Sequence, residues 1–457
     1  MISRERIAEL RSYYLPPGGY RADEVGREDL RAILDAAERA HELEADVRAL
    51  RALCARHERQ ILDLLGKLRL VLWSAPAVDT NSLDAALGER CGPWWTGEVL
   101  RGAALDSVMR DAYETAWNTA RPDEDAPRVR IHDRHRSRTA WFTNVDTPWA
   151  APGEGPPIIV FYSFKGGLGR STILASFAIQ RARAGERVCV LDFDLDSPGV
   201  GRLLAADAEG LTSRWGIVDF FLEHTLVEAP LADYYHRCDR VAGTGELVVF
   251  PAGNLDEVYA DKLARVDMEE APGARGSAFL KLLQRVRDEL DPGWILLDSR
   301  TGMSESAGQL LAGIAHLHVL LGTTQDQSWQ GLSVVLDRFG KERIVANRPQ
   351  AEVILVQAMV PAGEAGSLTR GVFLAHAEWD FSKRYYAEAT EAHGDDNLWD
   401  TRDLDSQDAP HVPVPIDYDA RLASFEDIAG VADILCAEPY SIIAERIMSR
   451  FTPETET

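Results

Sequence analysis

Cysteine is scarce in this sequence of 457 residues, which contains only five cysteines, and no two of them form a CxxC pair. This spacing fits neither a disulfide framework nor a zinc site, and it predicts a reducing compartment. Long apolar runs are missing as well, because no stretch reaches the roughly 18 residues of a membrane-spanning helix. The N-terminal segment MISRERIAELRSYY carries charges where a secretory signal needs an apolar core. These features predict a soluble, cytoplasmic protein without a membrane span.

Positive charge is also in deficit, since 49 basic residues stand against 73 acidic ones and give a net charge of −24. Such an excess of negative charge disfavours a chain-wide grip on nucleic acid or on an anionic membrane. Residues 128–138 are a local exception, because five arginines cluster there. This arginine patch offers a surface to nucleic acid or to an acidic partner. The alternatives are a solvated strand face or a contact with the protein's own acids.

The N-terminal part, residues 1–145, is predicted to be a mainly helical domain. Apolar residues recur at steps of three and four from Ile33 to Val71, a heptad-like seam typical of one long helix. This helix packs on its own domain or pairs in an intermolecular coiled coil, and the sequence leaves both open. A second helix is predicted from about Thr96 to Ala120, before Pro122. Alternating residues in RVRIHDR and RTAWFTNV predict a short basic hairpin near the end of the domain.

A linker is predicted at residues 146–157, which are rich in proline and glycine. After it, residues 158–457 alternate apolar runs with helical patterns, which is typical of a doubly wound α/β domain with a mostly parallel sheet. The runs expected to be buried strands are IIVFYS (158–163), RVCVLDFD (187–194), ELVVFPAG (246–253), GWILLDS (293–299), LHVLLGT (317–323) and EVILVQAM (352–359).

A glycine-rich loop, residues 163–172, joins the first of these strands to a predicted helix. Its glycines let the backbone turn tightly and direct successive N–H groups toward one anion, and the helix N-terminus adds partial positive charge. A hydroxyl directly after the cationic residue, here Ser171 after Arg170, stands where a magnesium ligand belongs. The sequence therefore predicts a phosphate cradle with an associated Mg²⁺.

The loop sequence FKGGLGRST resembles the deviant Walker A loop, KGGxGK[ST], of the ParA/MinD-type P-loop ATPases of the SIMIBI class. It is closest to a variant branch whose loop reads KGGVGR. The segments LDFDLDSPG (191–199) and LDSRTG (297–302), each at the end of a predicted strand, agree with that branch. The resemblance covers about residues 157–450. It says nothing about residues 1–156.

The resemblance implies ATP and Mg²⁺ as cofactors and a role for each matching residue. The catalytic residues would be Lys165, which reaches the phosphates of a partner subunit across a nucleotide-sandwich dimer, Asp194, which positions the attacking water, and Arg170. Ser171 would bind Mg²⁺, with Asp192 in its outer shell and Asp298 holding a metal-bound water. The phosphate-binding residues would be Lys165, Gly166, Gly167, Leu168, Gly169, Arg170, Ser171 and Thr172. An N-cap or turn role is the alternative for each aspartate.

Arg170 departs from the family pattern, because it stands where these ATPases have the ordinary P-loop lysine. A lysine is a compact point charge, whereas a guanidinium is larger, planar and bidentate. Phosphate binding is expected to survive the change, while slow turnover and binding without turnover both remain open.

The nucleotide base is expected to be adenine. A guanine-reading GTPase usually supplies an [NT]KxD aspartate after a late strand, but residues 356–361 read VQAMVP and contain no acid. A base pocket is placed near Met359 and Pro361.

The function predicted first is a nucleotide-dependent dimeric switch that hydrolyses ATP slowly, in a bacterial regulatory, signalling or defence system, with a protein partner at the N-terminal domain. The second hypothesis is a non-hydrolysing scaffold in which bound ATP is structural. The third is a bacterial tyrosine-kinase-like enzyme. Such kinases carry a tyrosine-rich tail, whereas this sequence ends in FTPETET.

Overall fold

A computed structural model describes residues 59–64, 67–72, 80–91, 95–101, 110, 121–122, 129–132, 139–142, 144–224, 226, 228–266, 277–345, 348–388, 399–425 and 427–452. The chain divides into two compact units, Met1–Arg136 and Ser137–Thr457. Among the described residues no helix is long and apolar enough to cross a membrane.

The described part of the first unit is built around a five-stranded sheet. Its elements are β1 (Arg59–Leu64), β2 (Lys67–Leu72), α1 (Thr80–Cys91), β3 (Trp95–Arg101), β4 (Arg121–Pro122) and β5 (Val129–His132). Strands β1 and β2 pair antiparallel, β3 runs parallel to β2, and β5 runs parallel to β1 and antiparallel to β4, in the order β3-β2-β1-β5-β4.

These strands correct the helical prediction for this unit. The predicted helix Ile33–Val71 is wrong over β1 and β2, because KLRLVL alternates leucines with other residues at the two-residue period of a strand. The predicted helix from Thr96 is wrong over β3, where Trp, Thr and Val favour a strand. The remainder of both helices, residue 110 excepted, lies outside the described residues. Of the predicted hairpin, the first strand is found as β5, whereas Thr139–Phe142 form a 3₁₀ turn of the second unit.

The second unit contains an eight-stranded sheet in its described residues, in the order β13-β12-β11-β6-β10-β7-β9-β8. Every pair is parallel except β8 with β9. The six strands predicted from the sequence are confirmed as β6, β7, β9, β10, β11 and β12, while β8 and β13 were not predicted. The strands are β6 (Ile158–Ser163), β7 (Arg187–Phe193), β8 (His236–Arg237), β9 (Glu246–Phe250), β10 (Trp294–Ser299), β11 (Leu317–Gly322), β12 (Val353–Val360) and β13 (Val414–Asp417).

Helices cover both faces of this sheet. Successive residues of β6 show this, because Ile158 and Val160 belong to one apolar core cluster and Ile159 and Phe161 to the other. The α/β, mostly parallel architecture is therefore confirmed. The helices are α2 (Arg170–Arg183), α3 (Val200–Leu203), α4 (Ile217–Glu223), α5 (Asp239–Ala242), α6 (Tyr259–Arg265), α7 (Ala278–Arg285), α8 (Glu305–Leu310), α9 (Asp326–Phe339), α10 (Lys341–Val345), α11 (Glu364–Arg384), α12 (Ala420–Ala423), α13 (Ala432–Leu435) and α14 (Tyr440–Ser449).

The segment predicted as a linker, residues 146–157, packs within this second unit. Trp149 is only 4% exposed, and its indole Nε1 donates a hydrogen bond of 2.8 Å to the carbonyl of Pro156. Just before it, the indole of Trp141 donates to the carbonyl of Ser304 at 2.7 Å. Proline and glycine suggested an exposed connector, but the buried ring of Trp149 brings a large apolar surface that outweighs that composition. The unit thus begins at Ser137 rather than after residue 157.

Candidate functional site

The glycine-rich loop lies between the end of β6 and the start of α2. Gly167 and Gly169 have φ values of +76° and +80°, a left-handed conformation that favours glycine. A Cβ atom added at Gly166, Gly167 or Gly169 would meet nothing within 4 Å in the described part of the chain. The first turn of a helix also leaves backbone N–H groups without intrahelical partners. The loop is therefore an open cradle at a helix N-terminus, with the geometry of an anion site.

Phe164 fixes this loop against α9. A Cβ atom at Gly331, a residue of α9, would lie only 1.9 Å from the Phe164 ring, so the ring occupies the space that a larger residue would need. Lys165, the next residue, donates a hydrogen bond from Nζ to the side-chain carbonyl of Gln325, the residue before α9. Gln325 and Gly331, the two residues that contact the loop, both lie in the sequence segment TQDQSWQG (324–331). That segment is the sequence feature from which these contacts could have been found.

Arg170 is the first residue of α2, and its side chain turns toward two aspartates. Its Nε donates to Asp298 Oδ1 at 2.6 Å, and its Nη2 donates to Asp194 Oδ2 at 2.9 Å. Strand β10 lies between β6 and β7, which brings the ends of all three strands to one edge. Burial acts to lower the pKa of Arg170, but Asp298 and Asp194 outweigh it and raise that pKa, so the guanidinium stays charged.

Two buried atoms of this bridge remain without a hydrogen-bond partner among the described residues, Arg170 Nη1 and Asp194 Oδ1. The two side chains are 8% and 7% exposed. A buried donor and a buried acceptor without partners are costly to leave unpaired. They mark the bridge as a place where further polar groups fit.

Asp298 is fully buried and also accepts a hydrogen bond of 2.6 Å from the hydroxyl of Ser171 on its Oδ2 atom. Burial raises the pKa of Asp298, and the charge of Arg170 opposes that rise. The structure thus brings together Arg170, Ser171, Asp194 and Asp298 as the sequence predicted, although the guanidinium faces the protein's own acids.

Asp192 holds the loop that follows β7. Its Oδ1 accepts from the backbone N–H of Asp194 at 3.2 Å, and its Oδ2 accepts from the N–H groups of Gly199 and Gly201 at 3.0 and 3.2 Å. Burial, followed by the nearby charge of Asp298, raises the pKa of Asp192 to about 8. Both carboxylate oxygens are engaged with backbone, which is the turn role that the sequence left as the alternative.

Hard oxygen donors at this edge fit a magnesium ion that arrives with phosphate. Among the described residues, no three or more His, Cys, Asp or Glu side chains are grouped to hold a metal by themselves. Magnesium in nucleotide sites takes one or two protein oxygens and completes its shell with phosphate and water. Ser171 and Asp298 supply that small set beside the open glycine cradle.

A cleft that is open to solvent lies beside the start of α2. Met359 lies in its wall with a φ of +57° and 43% of its surface exposed, whereas Pro361 is not among the described lining residues. The wall also includes residues that sequence reasoning missed, because β13 and α12 were not predicted. The cleft is lined by Leu168, Gly169, Thr172, Ile173, Met359, Ile416, Asp417, Tyr418, Asp419, Leu422, Ala423 and Tyr440.

Comparisons with known proteins find similarity around the phosphate loop. Residues 156–219 match the family model described as ParA: NUBPL iron-transfer P-loop NTPase. The chain is 35% identical over 57 residues to the cytosolic Fe-S cluster assembly factor NUBP2 homolog of Trichoplax adhaerens, covering 12% of this chain and 22% of that protein. It is 29% identical over 170 residues to the cytosolic Fe-S cluster assembly factor CFD1 of Chaetomium globosum, covering 36% and 50%. The chain thus spans half or less of the length of these curated relatives.

Among solved structures, the chain is similar to the septum site-determining protein MinD complexed with Mg-ADP from Pyrococcus horikoshii OT3, with 16% identity and a TM-score of 0.40 over 64% of this chain and 96% of that one. Residues 156–219, which contain the glycine cradle at the end of β6, are therefore similar in sequence to P-loop NTPases of the ParA type.

Proposed function

We propose that this chain binds ATP with Mg²⁺ at the loop 163–172 and hydrolyses it slowly. The observation that carries the proposal is the open cradle at Gly166, Gly167 and Gly169, placed at the N-terminus of a 14-residue helix after a fully buried strand. Backbone N–H groups and the helix dipole at that point favour a phosphate group.

The residues around the cradle divide the chemistry between them. Ser171 and Asp298 would hold the magnesium, which supplies charge neutralisation for the phosphate oxygens. Asp194 would accept a hydrogen bond from the attacking water and orient it, a role for which its unpaired Oδ1 atom is available among the described residues. Arg170 provides the positive charge at this edge and reaches the same aspartates.

ATP is proposed over GTP for two reasons. The segment 356–361 contains no acid that could accept from the guanine edge, and the two aspartates in the cleft wall, Asp417 and Asp419, are paired with Arg370 and Arg421. The cleft beside the cradle is walled by apolar side chains such as Leu168, Ile173 and Met359, which suit the face of a base. Pro361 is not among the described residues that line this cleft, and it stays in the proposal only because it follows Met359 by two residues in the sequence.

Nucleotide-dependent dimerisation is proposed as the output of the site. Lys165 would contact the phosphates of a partner subunit, and its bond to Gln325 would have to break when the dimer forms. A protein partner at residues 1–145, and nucleic acid at the arginine patch 128–138, stay proposals, as does a role in a bacterial regulatory, signalling or defence system in the cytoplasm.

The names of two relatives refer to Fe-S cluster assembly, but the described cysteines do not favour such a role here. Iron–sulfur clusters are held by cysteine thiolates. Cys189 and Cys238 are buried and Cys436 is half-buried, and burial raises the pKa of all three thiols, which disfavours the thiolate form.

Nucleotide titrations test the proposal directly. Mg-ATP should raise the Tm of the protein more than Mg-GTP does, because only binding to the folded state stabilises it. The Asp194→Ala variant should still bind ATP and should lose its turnover. Equal shifts with the two nucleotides would contradict the choice of adenine.

A scaffold that binds ATP without hydrolysing it is the second candidate, favoured by the engagement of Arg170 with Asp194 and Asp298. Phosphate release from the wild type no faster than from Asp194→Ala, with partner proteins present, would select the scaffold.

A further inference from the structure

The bridge between Arg170 and the two aspartates has an electrostatic problem in the absence of nucleotide. Asp194 and Asp298 lie within one small region, and neither of them is more than 7% exposed. Buried carboxylates need a counter-charge, because desolvation of an unpaired charge is expensive. Arg170 is the cation that the described residues place in contact with Asp194 and Asp298.

The helix itself does not favour a positive charge at position 170. A cation at the first residue of a helix opposes the helix dipole, whose positive end lies there. The two aspartates compensate for this repulsion, because Arg170 Nε donates a hydrogen bond to Asp298 and Arg170 Nη2 donates one to Asp194. The guanidinium is therefore held by the acids and not by its own helix.

Magnesium and Arg170 need the same carboxylate. Asp298 gives its Oδ1 atom to Arg170 and its Oδ2 atom to Ser171, so both of its oxygens are engaged in this structure. The unpartnered atoms point to a second arrangement. Arg170 Nη1 is a donor suited to an anion, and Asp194 Oδ1 is an acceptor suited to water or to a hydrated cation.

We propose that Arg170 is the resident counter-ion of the nucleotide-free site: its guanidinium holds Asp194 and Asp298 in place of Mg²⁺, and Mg²⁺ that arrives with the nucleotide releases it from Asp298. This inference rests on the proposed nucleotide site and adds a regulation to it. The wild-type protein does not bind Mg²⁺ without nucleotide, because the guanidinium already occupies the carboxylates that would hold the metal. Removal of the guanidinium frees these carboxylates, so that Mg²⁺ binds even without nucleotide.

The test is a thermal unfolding titration with Mg²⁺ alone, at ionic strength held constant with NaCl. Wild type should show no specific shift, whereas Arg170→Ala, destabilised at first, should gain about 2 °C in Tm at a tenfold excess over the dissociation constant. The double variant Arg170→Ala with Asp298→Asn should lose this response. A Mg²⁺ response of wild type equal to that of Arg170→Ala would overturn the proposal.

Arg384 offers a matched control, because it also bridges two aspartates, Asp380 at 3.0 Å and Asp337, away from the glycine loop. The Tm of Arg384→Ala should not rise with Mg²⁺. If it rose as much as the Tm of Arg170→Ala, Mg²⁺ binding would be a general property of paired aspartates, and the proposal would be overturned. If Arg170→Ala does not fold, the larger neutral variant Arg170→Gln decides: a Mg²⁺-dependent rise in Tm supports the proposal, and the absence of a rise refutes it. The titration contains no nucleotide, so a failure of ATP binding is recognised separately.

Discussion

Replacing Arg170 with lysine tests whether the site depends on a planar guanidinium. In the structure Arg170 makes two charged hydrogen bonds from different nitrogens, 2.6 Å to Asp298 and 2.9 Å to Asp194. A lysine ammonium is a single point on a flexible stem and serves one of these carboxylates well. The carboxylate that the lysine does not reach is less than 10% exposed, and it loses its positively charged partner. A hydrogen bond to a charged group contributes about 1.5–3 kcal/mol, and we expect a loss of that size.

Urea unfolding measures the loss of stability, and calorimetric ATP titration with a phosphate-release assay measures function. We expect Arg170→Lys to lower the free energy of unfolding, the affinity for Mg-ATP and the hydrolysis rate together. Arg384→Lys provides the comparison, since it changes a similar two-aspartate bridge and should leave ATP affinity unaltered. A variant of Arg170 that hydrolyses ATP faster than wild type would refute this reasoning and show that arginine is a degraded substitute for lysine.

Three further changes test other parts of the molecule. Lys165→Ala should bind ATP normally yet fail to dimerise with it, as light scattering would show; a nucleotide-dependent dimer of this variant would exclude the contact with the partner subunit. The fragment 137–457 should be more stable in urea than 157–457, because the second lacks buried Trp149 and truncation of such a residue alone costs about 3–5 kcal/mol; equal stability would contradict that packing. Burial raises the pKa of Asp192 to about 8, so its contribution to stability is complete below about pH 4 and declines as the pH rises toward 8. Unfolding in urea at several pH values should show that decline, and Asp192→Asn should reduce it.

The second unit could be predicted well because its strands are buried on both faces. Continuous apolar runs such as β6 and β10 are distinctive of parallel sheets, and the glycines after β6 predicted the open turn that the structure shows there. Short elements at the sheet edges gave no such signal. β8 has two residues and β13 contains a proline, so neither resembles a buried run. The cleft wall formed by β13 was therefore missed.

The first unit was predicted poorly because leucine fits both periodicities. Leucines four residues apart, such as Leu64 and Leu68, suit a helical seam, while Leu68, Leu70 and Leu72 suit one face of a strand. Two residues separate β1 from β2 in the sequence, and the second of them is glycine. Two-residue loops that contain glycine are common in β-hairpins. Weighing that signal against the heptad pattern would have favoured the strands.

The direction of the Arg170 side chain lay beyond the sequence for a different reason. The motif predicts a cation at the start of α2, but the acids that attract it come from β7 and β10, far along the chain. Only the sheet order, with β10 between β6 and β7, brings them to the same edge. A lysine at this position would present one charge and could satisfy one acid, whereas arginine satisfies two. The loop keeps its glycines and hydroxyls, so the arginine and the two aspartates are best understood as one functional unit. In that unit, the two carboxylates hold the guanidinium in place.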